Sequence, residues 1–274
     1  MTDVLPPLLL IGGGKMGGAM LAGWRERGLS RVVVVDPGAA AATLQGAGVM
    51  VVSSIDAVPD DCMPLAVVLA VKPQIAPIAV PPVARFAEAA VFISIMAGKP
   101  MAWLSRLLGP NAAIVRAMPN TPAAIRQGIT VACAGDAVSP VQHDLARVLL
   151  ASVGAVEFVT DEALLDPVTA VSGGGPAYVF LLTELLEAAA IEQGIPAGLS
   201  RILARQTVIG AAGLLAAGDE PAAALRRAVT SPNGTTERAL AVLMAPDAWS
   251  KAMSEAIAAA TARSRELGRD TASG

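Results

Sequence analysis

Unbroken apolar runs alternate with Ala-rich stretches along the first third of the chain. The runs are Leu8 to Gly12, Arg31 to Asp36, Leu65 to Val71 and Val91 to Ile95. None shows the apolar/polar alternation of a half-exposed strand, so each reads as a strand of a parallel sheet covered by helices on both faces. Further β-like stretches at Ala113 to Arg116 and Ile129 to Cys133 extend this sheet, and Val141 to Ser152 reads as an amphipathic helix. The doubly wound α/β half ends near residue 160. Beyond it the period changes. Pro176 to Gln193, Leu199 to Ala217 and Asp247 to Leu267 read as helices, with Gly194 and Gly218 as stop signals, so the second half is all-α.

Ala-rich helices with so few charges, at Ala177 to Ala190 and Ile209 to Ala217, need cover on most sides. A homodimer whose helices pack across the subunit boundary supplies it; a monomer with a closed helical cap is the alternative.

The first run leads straight into Gly12-Gly13-Gly14-Lys15-Met16-Gly17, a GxGxxG pattern after a predicted strand and before a predicted helix. Gly12 permits the tight turn, Gly14 lets backbone approach a pyrophosphate, and Gly17 allows close helix packing. The helix N-terminus offers free N–H groups to phosphates. This is the fingerprint of a Rossmann-type dinucleotide-binding domain. Asp36 ends the second strand 19 residues after Gly17, where a carboxylate bonds ribose hydroxyls and favours NAD over NADP. No Lys or Arg occurs from Pro37 to Val71 to offset a 2′-phosphate. Asp36 also reads as a simple strand-end cap before Pro37. Lys72, in Ala70-Val71-Lys72-Pro73, ends another core strand, where ligands of open α/β sheets sit; a solvated lysine is the other reading. Ser94 to Gly98 and the rigid turn Met118 to Pro122 end further strands of the same sheet.

Length makes two domains the expectation: 1–160 for the dinucleotide and 161–274 for substrate binding and dimerisation. The net charge of −3, from 20 basic and 23 acidic residues, leaves no electrostatic footprint for nucleic acid. The 54% hydrophobic content is largely Ala and Val, and Pro or charge interrupts the apolar stretches, so no membrane span is expected. Cys62 and Cys133 form no metal or redox motif, so no metal is expected and a reducing cytoplasm fits.

The acid/base inventory is thin. His143 is the single histidine and lies in a surface-like helix, which disfavours a His–Asp hydroxy-acid dehydrogenase. Tyr178 lacks a lysine four residues on, and none of Lys15, Lys72, Lys99 and Lys251 lies in the helix after Pro176. An iminium substrate brings its own proton and needs only hydride, a hydroxyl donor and a grip on any carboxylate. Two polar clusters can supply the last two: Val171 to Tyr178, and Val229 to Thr236 with Ser231, Thr235 and Thr236 about a turn. Each also reads as an ordinary helix cap. Reduction of another cyclic imine, a β-hydroxyacid dehydrogenase-like reaction, and a dinucleotide-binding regulator without turnover remain open.

In order, GGGKMG, AVKP, RAMPNTPA, AVSGGGPAY and VTSPNGTT resemble the pyrroline-5-carboxylate reductase family, the last step of proline biosynthesis, over residues 8 to about 267. The resemblance implies an oxidoreductase that reduces 1-pyrroline-5-carboxylate to L-proline with NADPH or NADH. It also implies a helical domain interlocking two subunits, as a homodimer or ring of dimers. Carried over, Ile11, Gly12, Gly13, Gly14, Lys15, Met16, Gly17, Asp36, Ala70, Val71, Lys72, Pro73, Ile95, Met96 and Ala97 hold the cofactor. Ser231, Thr235 and Thr236 hold the substrate, the Thr236 hydroxyl bonds the imine nitrogen, and Glu162 lies near the substrate. Four positions depart from the family pattern: Gly174 for a serine, Asn233 for a glycine, and Arg227 and Ala228 where an acid and an Asn or Met are usual. Asn tolerates positive φ, so the turn at Asn233 is expected to survive.

Overall fold

In a computed structural model that describes residues 5–270, the eight strands form one sheet in the order β3-β2-β1-β4-β5-β6-β7-β8. They are β1 (Leu8–Ile11), β2 (Val32–Val35), β3 (Val49–Val52), β4 (Ala66–Leu69), β5 (Val91–Ser94), β6 (Ala113–Met118), β7 (Gly128–Ala134) and β8 (Gly154–Val159). The first six pair in parallel; β7 runs antiparallel to β6, and β8 parallel to β7. β1, β2, β4 and β5 are buried at every residue. Leu8, Leu10, Val32, Val34 and Val68 feed one core layer, and Leu9, Ile11, Val33, Val67 and Phe92 the other. That two-faced burial is why these runs lack alternation.

Helices α1 (Lys15–Glu26), α2 (Ala76–Ala79), α3 (Met101–Leu108), α4 (Pro140–Leu150) and α5 (Leu165–Val168) accompany the sheet. Ser139 and Gln142 form a reciprocal capping box at the start of α4. The remaining helices are α6 (Gly175–Glu192), α7 (Ala197–Ala216), α8 (Ala222–Ala228), α9 (Thr235–Leu243) and α10 (Trp249–Asp270). The α/β class and the helical second half agree with the sequence reading.

Three features differ from it. Strands β3 and β8 were not anticipated. Both lie at the sheet margins and are partly exposed; β8 carries a charge at Glu157, whereas β3 is the apolar run VMVV. The β2–β3 connection is a single 3₁₀ run, Ala39–Leu44, rather than a full helix. The chain also divides into compact units between Gly173 and Gly174, beyond the 160/161 boundary read from sequence, and 260–270 goes with the first unit. The reason is visible in hydrogen bonds: the Asn120 side chain donates to Ser172 O at 3.2 Å, and the Ser264 hydroxyl to Asp166 at 2.7 Å. The stretch Glu162–Glu192 is long and apolar enough to cross a bilayer by length and composition alone, with a mean hydropathy of 1.2.

Candidate dinucleotide cradle and polar helix turn

The reversal of strand order falls between β1 and β4, and ligands of open α/β sheets bind in the crevice at such a point. Gly12 leaves β1 at φ 99°, and a Cβ there would stand 2.7 Å from Ala70 O. A Cβ on Gly17 would collide with Gly12 O. Only glycine therefore lets the turn, α1 and the end of β4 close on one another. Gly14 differs: nothing lies within 4 Å of its Cβ position, and as N-cap of α1 it has no side-chain cap. That open space beside the first amides of α1 is a candidate cradle for a pyrophosphate. Ile11 is buried, while Lys15 and Lys72 are exposed.

Asp36 stands beside this turn. Gly13 N–H donates to its Oδ2 at 2.6 Å and Gly38 N–H to its Oδ1 at 2.8 Å. The strand-end cap reading holds, and the carboxylate is at the same time tied to the glycine turn. The loop after β5 is anchored by Ile95 N–H to Leu69 O at 3.1 Å and by buried Met96; Ala97 is exposed. Lys99 packs over the Trp103 ring at 4.3 Å, and burial pushes its ammonium pKa down.

Sequence reasoning missed a charged staple next to that loop. Arg116 lies on buried β6, opposite Ser94, and its Nη1 donates to Glu162 Oε1 at 2.8 Å. The same oxygen accepts from Met101 N–H, at the start of α3, at 2.8 Å. Glu162, read beforehand as a substrate neighbour, thus also caps α3 and neutralises Arg116. A guanidinium inside an apolar run is itself the signal, since such a group requires a partner. Asn120 is similarly buried, accepting from Ile129 N–H at 2.9 Å. His143 lies on α4 with its ring centroid 4.1 Å from that of Phe158.

The second unit carries the other predicted cluster. Thr230 Oγ1 donates to Arg226 O at 2.6 Å, and Gly234 N–H to Ser231 O at 3.0 Å. Asn233 sits at φ 59° and its N–H donates to Glu237 at 2.7 Å, so the departure from glycine is accommodated by a residue that tolerates that conformation. The helix that follows begins at Thr235. Ser231, Thr235 and Thr236 are exposed around its N-terminus, which no side chain caps. This turn belongs to the second unit and the dinucleotide cradle to the first.

A Rossmann-type sheet with a glycine cradle, followed by a helical unit, defines a dinucleotide-dependent oxidoreductase. Comparisons with known proteins narrow the class. The family profile described as pyrroline-5-carboxylate reductase dimerisation matches residues 162–267, and that described as NADP oxidoreductase coenzyme F420-dependent matches residues 8–98. A pyrroline-5-carboxylate reductase of Pseudomonas aeruginosa is 38% identical over 269 residues, 96% of this chain and 97% of that protein. One from Mycobacterium tuberculosis is 36% identical, covering 95% and 96%. The solved structure of a pyrroline-5-carboxylate reductase from Coxiella burnetii superposes with a TM-score of 0.88 at 31% identity, covering 96% and 98%. That of the Plasmodium falciparum enzyme with NADP bound gives 0.81 at 27% identity, covering 98% and 99%. The chain belongs to the pyrroline-5-carboxylate reductase family.

Proposed function

We propose that this chain is a pyrroline-5-carboxylate reductase, reducing the C=N bond of 1-pyrroline-5-carboxylate to give L-proline at the expense of NAD(P)H. The observation that carries the reading is the full-length similarity to enzymes of that name, together with the open cradle at Gly14. NAD(P)H, when bound, supplies hydride. Gly12 to Gly17 with Asp36 seat the dinucleotide, Ala70 to Pro73 and Ile95 to Ala97 flank it, and Gly14 leaves room for its pyrophosphate. Ser231 and Thr235 hold the substrate carboxylate through hydroxyl and N–H donors at the start of α9. The substrate reacts as the iminium, whose N–H carries the proton of the product amine; the Thr236 hydroxyl accepts from that N–H, and donates to the nitrogen lone pair as it develops on hydride addition to the neighbouring carbon. Glu162 lies near the substrate, its Oε2 outside the bonds that engage Oε1.

Residues 161–274 are the substrate-binding and dimerisation domain in this reading. Phe180, Leu181, Leu185, Ile202 and Leu214 are exposed on the helices of one chain, and burying them requires a partner subunit. A homodimer or ring of dimers covers them, which accounts for the apolar Glu162–Glu192 stretch without a bilayer. We place the enzyme in the cytoplasm. The test is oxidation of NADH and NADPH by purified protein with racemic 1-pyrroline-5-carboxylate, beside other cyclic imines and β-hydroxyacids. Turnover confined to, or fastest by far with, 1-pyrroline-5-carboxylate is the expected result.

A further inference from the structure

The corner formed by Gly13, Asp36, Gly38 and Leu44 bears on which nicotinamide dinucleotide enters the cradle. Asp36 follows β2, where the adenosine ribose of a bound dinucleotide lies. Its two carboxylate oxygens are held from opposite sides, by Gly13 N–H at 2.6 Å and Gly38 N–H at 2.8 Å. Rotating the carboxylate away leaves both donors without their acceptor, so the charge stays where it is. Gly13 packs closely in this corner: a Cβ on it would lie 2.6 Å from Leu44 Cδ1 and 3.4 Å from Asp36 Oδ2.

No cation lies in the connection that follows Asp36. The connection after β2, Pro37 to Leu44, is PGAAAATL. Among the described residues Asp36 makes no ion pair, and the arginines near this part of the sheet bond to other acceptors. Arg25 donates to Leu44 O, Arg27 to Ala151 O at 2.8 Å, and Arg31 pairs with Asp61 at 3.1 Å. A ribose diol meets Asp36 with two O–H donors. A 2′-phosphate meets it with like charge and no useful donor.

We infer that this chain selects NADH over NADPH, with Asp36 as the specificity-determining residue. The inference rests on the dinucleotide reading of the Gly12–Gly17 turn and on nothing in the imine chemistry. It concerns this chain rather than its family, one of whose members was solved with NADP bound.

Calorimetric titration of the full-length protein with NADH and with NADPH, in the absence of imine, tests it. NADH is expected to bind at least about tenfold tighter. Asp36→Asn keeps an acceptor oxygen and removes the charge, and should shift the Kd ratio toward NADPH by about tenfold. Ala39→Arg, at an exposed position that leaves both Asp36 bonds intact, should shift it in the same direction. NADPH binding as tightly as NADH to the unaltered protein would overturn the inference, as would a ratio unmoved by both substitutions. Binding of neither dinucleotide would overturn the cradle and the inference together. The predicted order of binding without turnover of 1-pyrroline-5-carboxylate would sink the proposed reaction while supporting the inference.

Discussion

Arg116 and Glu162 meet through Nη1 and Oε1 at 2.8 Å, on side chains 6% and 25% exposed, and join the middle of the sheet to the start of α3. The Arg116 Nε is buried without a partner among the described residues, so this pairing carries most of the guanidinium's compensation. Removing one partner of such a pair strands the other charge. Glu162→Ala should destabilise the fold by about 2–4 kcal/mol, read as a lowered Tm and urea midpoint. Glu162→Gln, which keeps an acceptor for Met101 N–H, should cost about half as much. Equal stability of all three proteins would contradict the staple.

The glycine turn separates folding from binding. Gly17→Ala drives a methyl group into Gly12 O and should lower stability by about 1–3 kcal/mol. Gly14→Ala meets nothing within 4 Å, so its Tm should match the unaltered protein while dinucleotide affinity falls by about tenfold or more, through the filled cradle. Thermal unfolding and titration with NADH, run on both variants, distinguish the two effects.

At the start of α9, Thr236→Val keeps shape and removes the hydroxyl. If that hydroxyl serves the imine nitrogen, kcat/KM for 1-pyrroline-5-carboxylate should fall about 10²–10³-fold with dinucleotide Kd unchanged. Near-normal kcat/KM in a folded variant would remove Thr236 from the chemistry.

Asn233 offers a structural control beside it. At φ 59°, Asn233→Gly should be neutral within about 0.5 kcal/mol, whereas Asn233→Val should cost about 1–2 kcal/mol. Chemical denaturation of the two variants measures the difference.

The exposed apolar residues of α6 make assembly testable. Leu185 is 54% exposed in a single chain, beside Trp249 and Met253. Leu185→Asp should shift the protein from dimer or larger to monomer in sedimentation velocity and lower activity with it. An unchanged sedimentation profile would remove Leu185 from the interface.

The strands around the cradle were legible because β1, β2, β4 and β5 are buried on both faces and read as unbroken Leu/Val/Ile runs. Met50 on β3 and Glu157 on β8 face solvent at the sheet margins; the charge in β8 breaks its apolar run, whereas β3 is VMVV, an apolar run as readable as those of the central strands. The glycines were legible because their spacing encodes close approaches that the backbone then makes. The second hydrogen bond of Asp36, to Gly13, and the Arg116–Glu162 pair were not. Both join residues distant in sequence, and no local pattern specifies which carboxylate a buried guanidinium or a turn amide will find.

The reaction is tested most directly by deuterium transfer from NADH or NADPH carrying two deuteriums at C4, incubated with the purified full-length protein and 1-pyrroline-5-carboxylate, followed by mass spectrometry of the product. Proline carrying one deuterium on the ring carbon that was doubly bonded to nitrogen is the expected product. No proline, or proline without the label, would contradict the proposed reaction.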